Sequence, residues 1–287
     1  MSTTPALERA PVLVIEPSRG VGSLRLGEVW AYRELLYFLV WRDVKVRYKQ
    51  TVLGAAWAVL QPLATAVVFT IFFGRLAGIG SDGLPYPLFS YAGLMVWTFF
   101  AQGLQQSTAS LVGASHLITK VYFPRLVIPL AAVLSGLLDL AVAFPVLLVM
   151  MVHYRVTPGV AVLAFPVVVL LALATALGAG LWLSALYVEY RDVRHVVTFM
   201  VQIWLFVTPV IYPASTVAPH LARLGLPGWL VGVNPMAGVV EGARWAMLGT
   251  PRPQAGLLAA SALVAAALCV SGALYFRRVE RGFADVV

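Results

Sequence analysis

Apolar and basic positions alternate at helical spacing over residues 32–50, and over 51–74 no residue carries a charge. Tyr32, Leu35, Leu36, Leu39 and Val40 recur on one side of a helix, while Arg42, Lys45 and Lys49 fall at i, i+3 and i+7 on a roughly opposite side. The pattern predicts a helix at a membrane surface that feeds directly into a membrane-crossing helix. A hydrocarbon core of about 30 Å takes roughly 20 helical residues at about 1.5 Å each. Uncharged or nearly uncharged runs of that length predict spans over 51–74, 86–110, 126–152, 160–187, 196–212 and 254–276. Asp139 interrupts the third. The fifth is short, and Thr208, Pro209 and Pro213 predict that it ends early or kinks.

The link over 213–253 holds six prolines and six glycines yet stays apolar through Leu221, Leu224, Leu226, Trp229, Leu230, Val231 and Val233. A solvated loop would be more polar. Short re-entrant helices dipping back into the outer membrane face are predicted there, their irregular backbone sheltered by protein or a water-filled cavity. Glu241 and Arg244, at i and i+3, are expected to form an ordinary surface salt bridge. The expected architecture is therefore all-α and polytopic. A segment over 1–31 precedes a membrane domain over 32–287.

Composition agrees with this pattern. With 61% apolar and 11% charged residues and a mean hydropathy of +0.88, the chain has too few ionic groups to cover a soluble globule of 287 residues. The net charge of +8 does not point to nucleic acid, because the bases sit at the ends of apolar spans and form no patch. Of the twenty Lys and Arg, fifteen fall in the N-terminal fifty residues, the 115–125 and 189–195 links and the tail after Phe276. Short loops that keep Lys and Arg stay in the cytoplasm, so both termini are expected there. The first eleven residues hold no apolar core of signal-peptide length, and entry would rely on internal spans. Cys269 is the single cysteine, which rules out an intrachain disulfide and suggests an inert packing residue.

Enzyme chemistry finds little support. His116, His153, His195 and His220 are scattered, with no metal-ligand spacing among them. No GxxxxGK[ST] phosphate loop occurs, so ATP-driven work would have to come from a partner. Asp139 is the one acid within a span, where a charge costs about 2.5 to 3.5 kcal/mol. A proton relay takes several such groups, so pairing with a neighbour such as Gln61, Gln102 or Gln202 is expected over transport coupling. Ala172, Ala176, Gly180 and Ser184 form a small-residue seam at four-residue spacing, open to packing within the chain or against a second copy. Aromatic residues crowd the first two spans, and Trp57, Phe72, Tyr91, Trp97 and Phe100 are candidates for the wall of a sugar-passing channel. The alternative is an ordinary interfacial belt. The 115–125 and 189–195 links combine charge, aromatics and proline as docking surfaces would, or as helix caps and topology anchors would.

The chain resembles the permease subunits of type-2 ABC exporters that move O-antigen, capsular or teichoic-acid polysaccharides across the bacterial plasma membrane. The resemblance runs from Tyr32 to the C-terminus. It rests on RELLYFLVWRDVKVRYKQTVLGAAW over 33–57, Gln61-Pro62, Lys120-Val-Tyr-Phe-Pro-Arg125, Tyr190-Arg-Asp192, Thr208-Pro-Val-Ile-Tyr-Pro213 and Asn234-Pro235. It implies a homodimer in the inner membrane enclosing a channel for a lipid-linked glycan, served by two copies of a separate ATPase that holds ATP and Mg. This chain itself would carry no cofactor. By the same resemblance, 32–50 is a gate helix with Arg42, Lys45, Arg47 and Lys49. The ATPase contact would comprise His116, Lys120, Tyr122, Phe123, Pro124 and Arg125 with Tyr190, Arg191 and Asp192, and the outer gate Tyr212, Trp229, Asn234, Glu241 and Arg244. A drug or lipid exporter of the same superfamily is the nearest rival. An ion-coupled transporter would show repeated halves and more intramembrane charges, and a membrane enzyme a convergent catalytic set.

Overall fold

The computed structural model describes residues 26–49 and 54–283. The expected segment over 1–31 is described only from Leu26 onward, and 50–53 and 284–287 lie outside the described residues. Helices α1 (Leu26–Ala31) and α2 (Arg33–Lys49) run almost without a break, since Tyr32 N–H donates to Glu28 O and Leu36 N–H to Tyr32 O. Helix α3 (Gly54–Phe69) passes into a wider π-helical stretch over Thr70–Leu76, and α4 spans Tyr86–Gly113. A short α5 (Ser115–Lys120) precedes α6 (Val127–His153), and a 3-10 stretch over Val160–Ala164 leads into α7 (Phe165–Glu189). Then come α8 (Val193–Val207), α9 (Ala214–Arg223), a 3-10 stretch over Gly228–Val233, α10 (Pro235–Leu248) and α11 (Ala255–Val279).

Among the described residues, four stretches are long and apolar enough to cross a bilayer: Ala56–Leu76, Val127–His153, Val160–Glu189 and Ala255–Val279. Helix α4 is also long, at 28 residues, but Gln, Ser and Thr dilute it, because it runs through the middle of the bundle and meets side chains on most of its surface. The fifth expected span is 15 helical residues, α8, which covers only about 22 Å at about 1.5 Å per residue. It stops at Val207 because Pro209 holds Thr208 extended at φ −88° and ψ 141°. The chain completes that span as an irregular turn over 208–213, within the bundle: Thr208, Val210 and Ile211 are fully buried.

The small-residue seam on α7 packs inside the chain. Ala172, Ala176, Gly180 and Ser184 are buried, and Gly180 lies against Ser107 of α4 with no room for a side chain. A second close approach was not expected. A Cβ at Gly178 would come 2.5 Å from the backbone N of Cys269 on α11, so two helix backbones nearly touch there. The Cys269 thiol accordingly donates across the same crossing, to Ala174 O at 3.1 Å.

The outer link re-enters the bundle. All but one of the fourteen residues of α10 are buried, and Gly249 at φ 68° ends the helix in the left-handed conformation. At the opposite end a second apolar cluster joins Leu39 of α2, Ile118 of α5, Phe123 and Val127 at the start of α6, Val188 of α7, and Phe276 and Phe283. The starts of α1 and α6 and the end of α11 thus share one end of the molecule, here called the base.

Candidate functional site

At the base, α2 climbs along the first half of α6. Leu39 packs with Ile128 and Ala131, and two turns later Arg47 and Tyr48 reach Asp139. Asp139 is the thirteenth residue of α6, about 18 Å along it. Arg47 Nη1 donates to Asp139 Oδ2 and the Tyr48 hydroxyl to Asp139 Oδ1. Arg47 Nη2 donates to Gln106 Oε1 on α4 and, at 3.2 Å, to Ser135 Oγ. The expected partners of Asp139 are therefore corrected: Gln61 and Gln102 instead pair with each other at 3.4 Å, and Gln202 is exposed on α8. A full cation meets the carboxylate and the phenol takes its second oxygen, which an amide could not do as well in a low dielectric. Arg47 leaves the row of Arg42, Lys45 and Lys49 to make this contact.

That row stays on the outward side of α2. Arg42, Lys45 and Lys49 line an open groove of about 440 Å³ together with Phe38, Trp41 and Val46. Lys45 Nζ stands 5.3 Å from the Trp41 ring centre, and Arg42 Nη2 lies 2.9 Å from Asp43. Phe38 and Trp41 were not singled out from sequence. Their signal was their place four residues before Arg42 and Lys45, on the same side of the helix.

Among the proposed docking residues the structure separates two kinds. His116, Lys120 and Tyr122 are exposed at the base, as are Tyr190, Arg191 and Asp192. Phe123 is buried in the basal cluster, with Pro124 half-buried beside it. Arg125 turns inward: its Nη1 donates to Glu280 O and its guanidinium lies 5.9 Å from the Phe283 ring. Arg277 of α11 meets Glu28 of α1 at 3.8 Å. One apolar cluster thus carries the exposed link, helix α2 and the C-terminal turn together.

At the far end Glu241 and Arg244 form no surface bridge, contrary to expectation. Arg244 is fully buried. Its Nη1 donates to Pro209 O at 2.6 Å and Glu241 Oε1 at 3.1 Å, its Nη2 to Val210 O at 2.6 Å, and its Nε to Phe89 O at 3.2 Å. Its guanidinium stacks 3.4 Å from the Phe89 ring centre, and Glu241 accepts the Ala214 N–H. Proline 209 leaves carbonyls that no helix can satisfy, and the fan of guanidinium donors supplies them. Asn234 caps α10 by accepting from Met236 N–H, takes Trp204 Nε1–H at 3.0 Å and gives its Nδ2–H to Thr208 Oγ1 at 2.9 Å. Tyr212 is half-buried and bonds back to Phe206 O, while Trp229 is exposed.

Of the aromatics expected on a channel wall, Trp57 and Phe72 are exposed. Tyr91, Trp97 and Phe100 are instead interior. The Tyr91 hydroxyl donates to Ala143 O, and Trp97 and Phe100 meet Trp204 edge to face at 6.4 Å and 5.0 Å. Trp97 and Phe100 fill the space between α4 and α8 and Tyr91 packs against α6, so all three serve the bundle core.

Among the described residues, an all-helical bundle with crossing helices, a basic helix tied to an intramembrane acid and a link folded back inside defines a polytopic membrane protein. The description "ABC-2 type transporter" matches residues 34–248, which take in α2 through α10, and the chain belongs to that family. It is 31% identical over 261 residues to an O-antigen export system permease protein RfbA of Myxococcus xanthus, covering 91% of this chain and 98% of that one. Two Klebsiella pneumoniae proteins of the same name are 27% and 26% identical over 208 residues, 72% of this chain and 77% of theirs.

Proposed function

We propose that the chain is the membrane-spanning subunit of an ATP-driven exporter that moves a lipid-linked polysaccharide of O-antigen type across the bacterial plasma membrane. Two copies enclose the conduit, and two copies of a separate ATPase bind at the base, which faces the cytoplasm. The observation that carries this reading is the match along 91% of the chain to a protein named as an O-antigen export permease. The missing phosphate loop supports a separate ATPase, and the crowding of bases toward the base supports the orientation. Movement imposed on His116, Lys120 and Tyr122 reaches Leu39 of α2 through the Ile118 and Phe123 side chains of the shared basal cluster. The basic and aromatic groove on α2 suits a substrate with an anionic lipid anchor and a sugar head.

Deleting the gene in its host tests this. Lipid-linked glycan should accumulate inside while surface polysaccharide disappears, and the purified chain should bring a Walker-motif ATPase with it. Normal surface polysaccharide after deletion would refute the assignment.

A further inference from the structure

Helix α4 is enclosed on most of its surface, and the stripe it leaves open is polar. Thr98, Gln102, Gln105 and Ala109 lie at i, i+4, i+7 and i+11, each half-buried or exposed, while Phe99, Phe100, Gly103, Leu104, Ser107 and Thr108 beside them are buried. Gln61 of α3 widens the stripe, accepting from Gln102 Nε2. On three other spans the outward positions include large aliphatic side chains: Val149 and Val152 on α6, Val167 and Leu170 on α7, Leu263 and Val270 on α11. Amides turned to hydrocarbon would leave donors and acceptors without partners, so this stripe faces water or a polar occupant. It is also unlike a close seam between helices, which this chain builds from Ala172, Ala176, Gly180 and Ser184. Gln102 lies about 24 Å from the far end of α4, and the neighbouring Gln106 receives Arg47, so the stripe begins where the gate helix ends.

We infer that Gln61, Thr98, Gln102 and Gln105 form a wall of the conduit in its basal half and exchange hydrogen bonds with the hydroxyls of the glycan passing it. The inference rests on the export reading above. A neutral amide offers two donors and an acceptor, which matches sugar hydroxyls of either orientation. Each such bond replaces one to water and nets only a modest gain, so the wall guides a chain without holding it. A charged wall would bind more tightly and slow passage.

Single cysteines at positions 102 and 105, in a Cys269→Ala background and in the complex reconstituted with its ATPase, test this with a charged, water-soluble methanethiosulfonate. Both should react, more slowly while a lipid-linked glycan is in transit, and a cysteine at position 170 should not react. The double variant Q102L/Q105L should assemble and melt as the parent does but export about tenfold more slowly, the effect of two modest hydrogen bonds. No reaction at either position, or export by Q102L/Q105L at the parent rate, would overturn the inference. Reaction without slowing, in a complex that exports glycan, would overturn it too. Failure of the unsubstituted complex to export glycan would instead overturn the export reading beneath it.

Discussion

Arg47 and Asp139 lie 92 residues apart in the chain and form an ion pair that fastens the basic helix α2 to the interior of α6. The pair is completed by Tyr48, Gln106 and Ser135, so three helices meet at one carboxylate. The charge inside the span is thereby explained as a fastening for α2. Arg47→Leu should lower stability by about 1.5 to 3 kcal/mol, the range for a hydrogen bond to a charged group. The double variant Arg47→Leu, Asp139→Leu should recover much of that loss, because no charge is left unpaired. Thermal melting in nanodiscs reads both, and double-variant stability no better than that of Arg47→Leu would contradict the pairing.

Asp139→Asn keeps the shape and can still accept from Tyr48. Export by this variant should persist at a reduced rate and show no new dependence on a proton gradient, because the carboxylate holds α2 against α6. Loss of a proton-gradient dependence present in the parent would point the other way.

Arg244 has the most partners of any side chain at the far end, and every one is lost together. Arg244→Lys should be nearly as damaging as Arg244→Ala, at about 3 to 5 kcal/mol, since one ammonium cannot span Phe89, Pro209 and Val210 carbonyls and the Glu241 carboxylate. Glu241→Gln should cost less, because Arg244 retains its carbonyl acceptors. Expression level and melting temperature of the three variants give the order.

The crossing of α7 and α11 allows a simple steric check. Gly178→Ala places a methyl 2.5 Å from the Cys269 backbone and should cost about 1 to 3 kcal/mol through forced separation of the two helices. Gly113→Ala, with nothing within 4 Å, should be neutral or slightly stabilising in the same melting assay.

The basal link should divide by exposure. Lys120→Glu and Tyr122→Ala should leave the fold intact and uncouple ATP hydrolysis from export, because these side chains stand free at the surface. Phe123→Ala should act on stability, by about 3 to 5 kcal/mol for a buried aromatic. Arg125→Glu should release the C-terminal turn as well, seen as new proteolysis near Glu280, because Arg125 holds that backbone.

Length and charge-free runs made the four long apolar helices and the early end of α8 legible from sequence, since each follows from local chemistry such as Pro209 after Thr208. What stayed hidden was long-range pairing. Nothing near Asp139 in sequence names Arg47, and the i, i+3 spacing of Glu241 and Arg244 looks the same on a wet surface as in a core. The aromatics divide for the same reason: Trp57 and Tyr91 are alike in composition, and only packing against α6 and α8 sends one outward and the other in. The seam on α7 was readable as a seam, but its partner depended on Ser107, a residue with no signal of its own.

The most direct test of the account is transport by purified components. Proteoliposomes holding this chain and its ATPase partner, supplied with lipid-linked O-antigen and ATP on the base side, should deliver glycan to the opposite face, and a substitution of the partner's phosphate-loop lysine should abolish delivery. Glycan movement by the chain alone, driven by an ion gradient and indifferent to ATP, would contradict it.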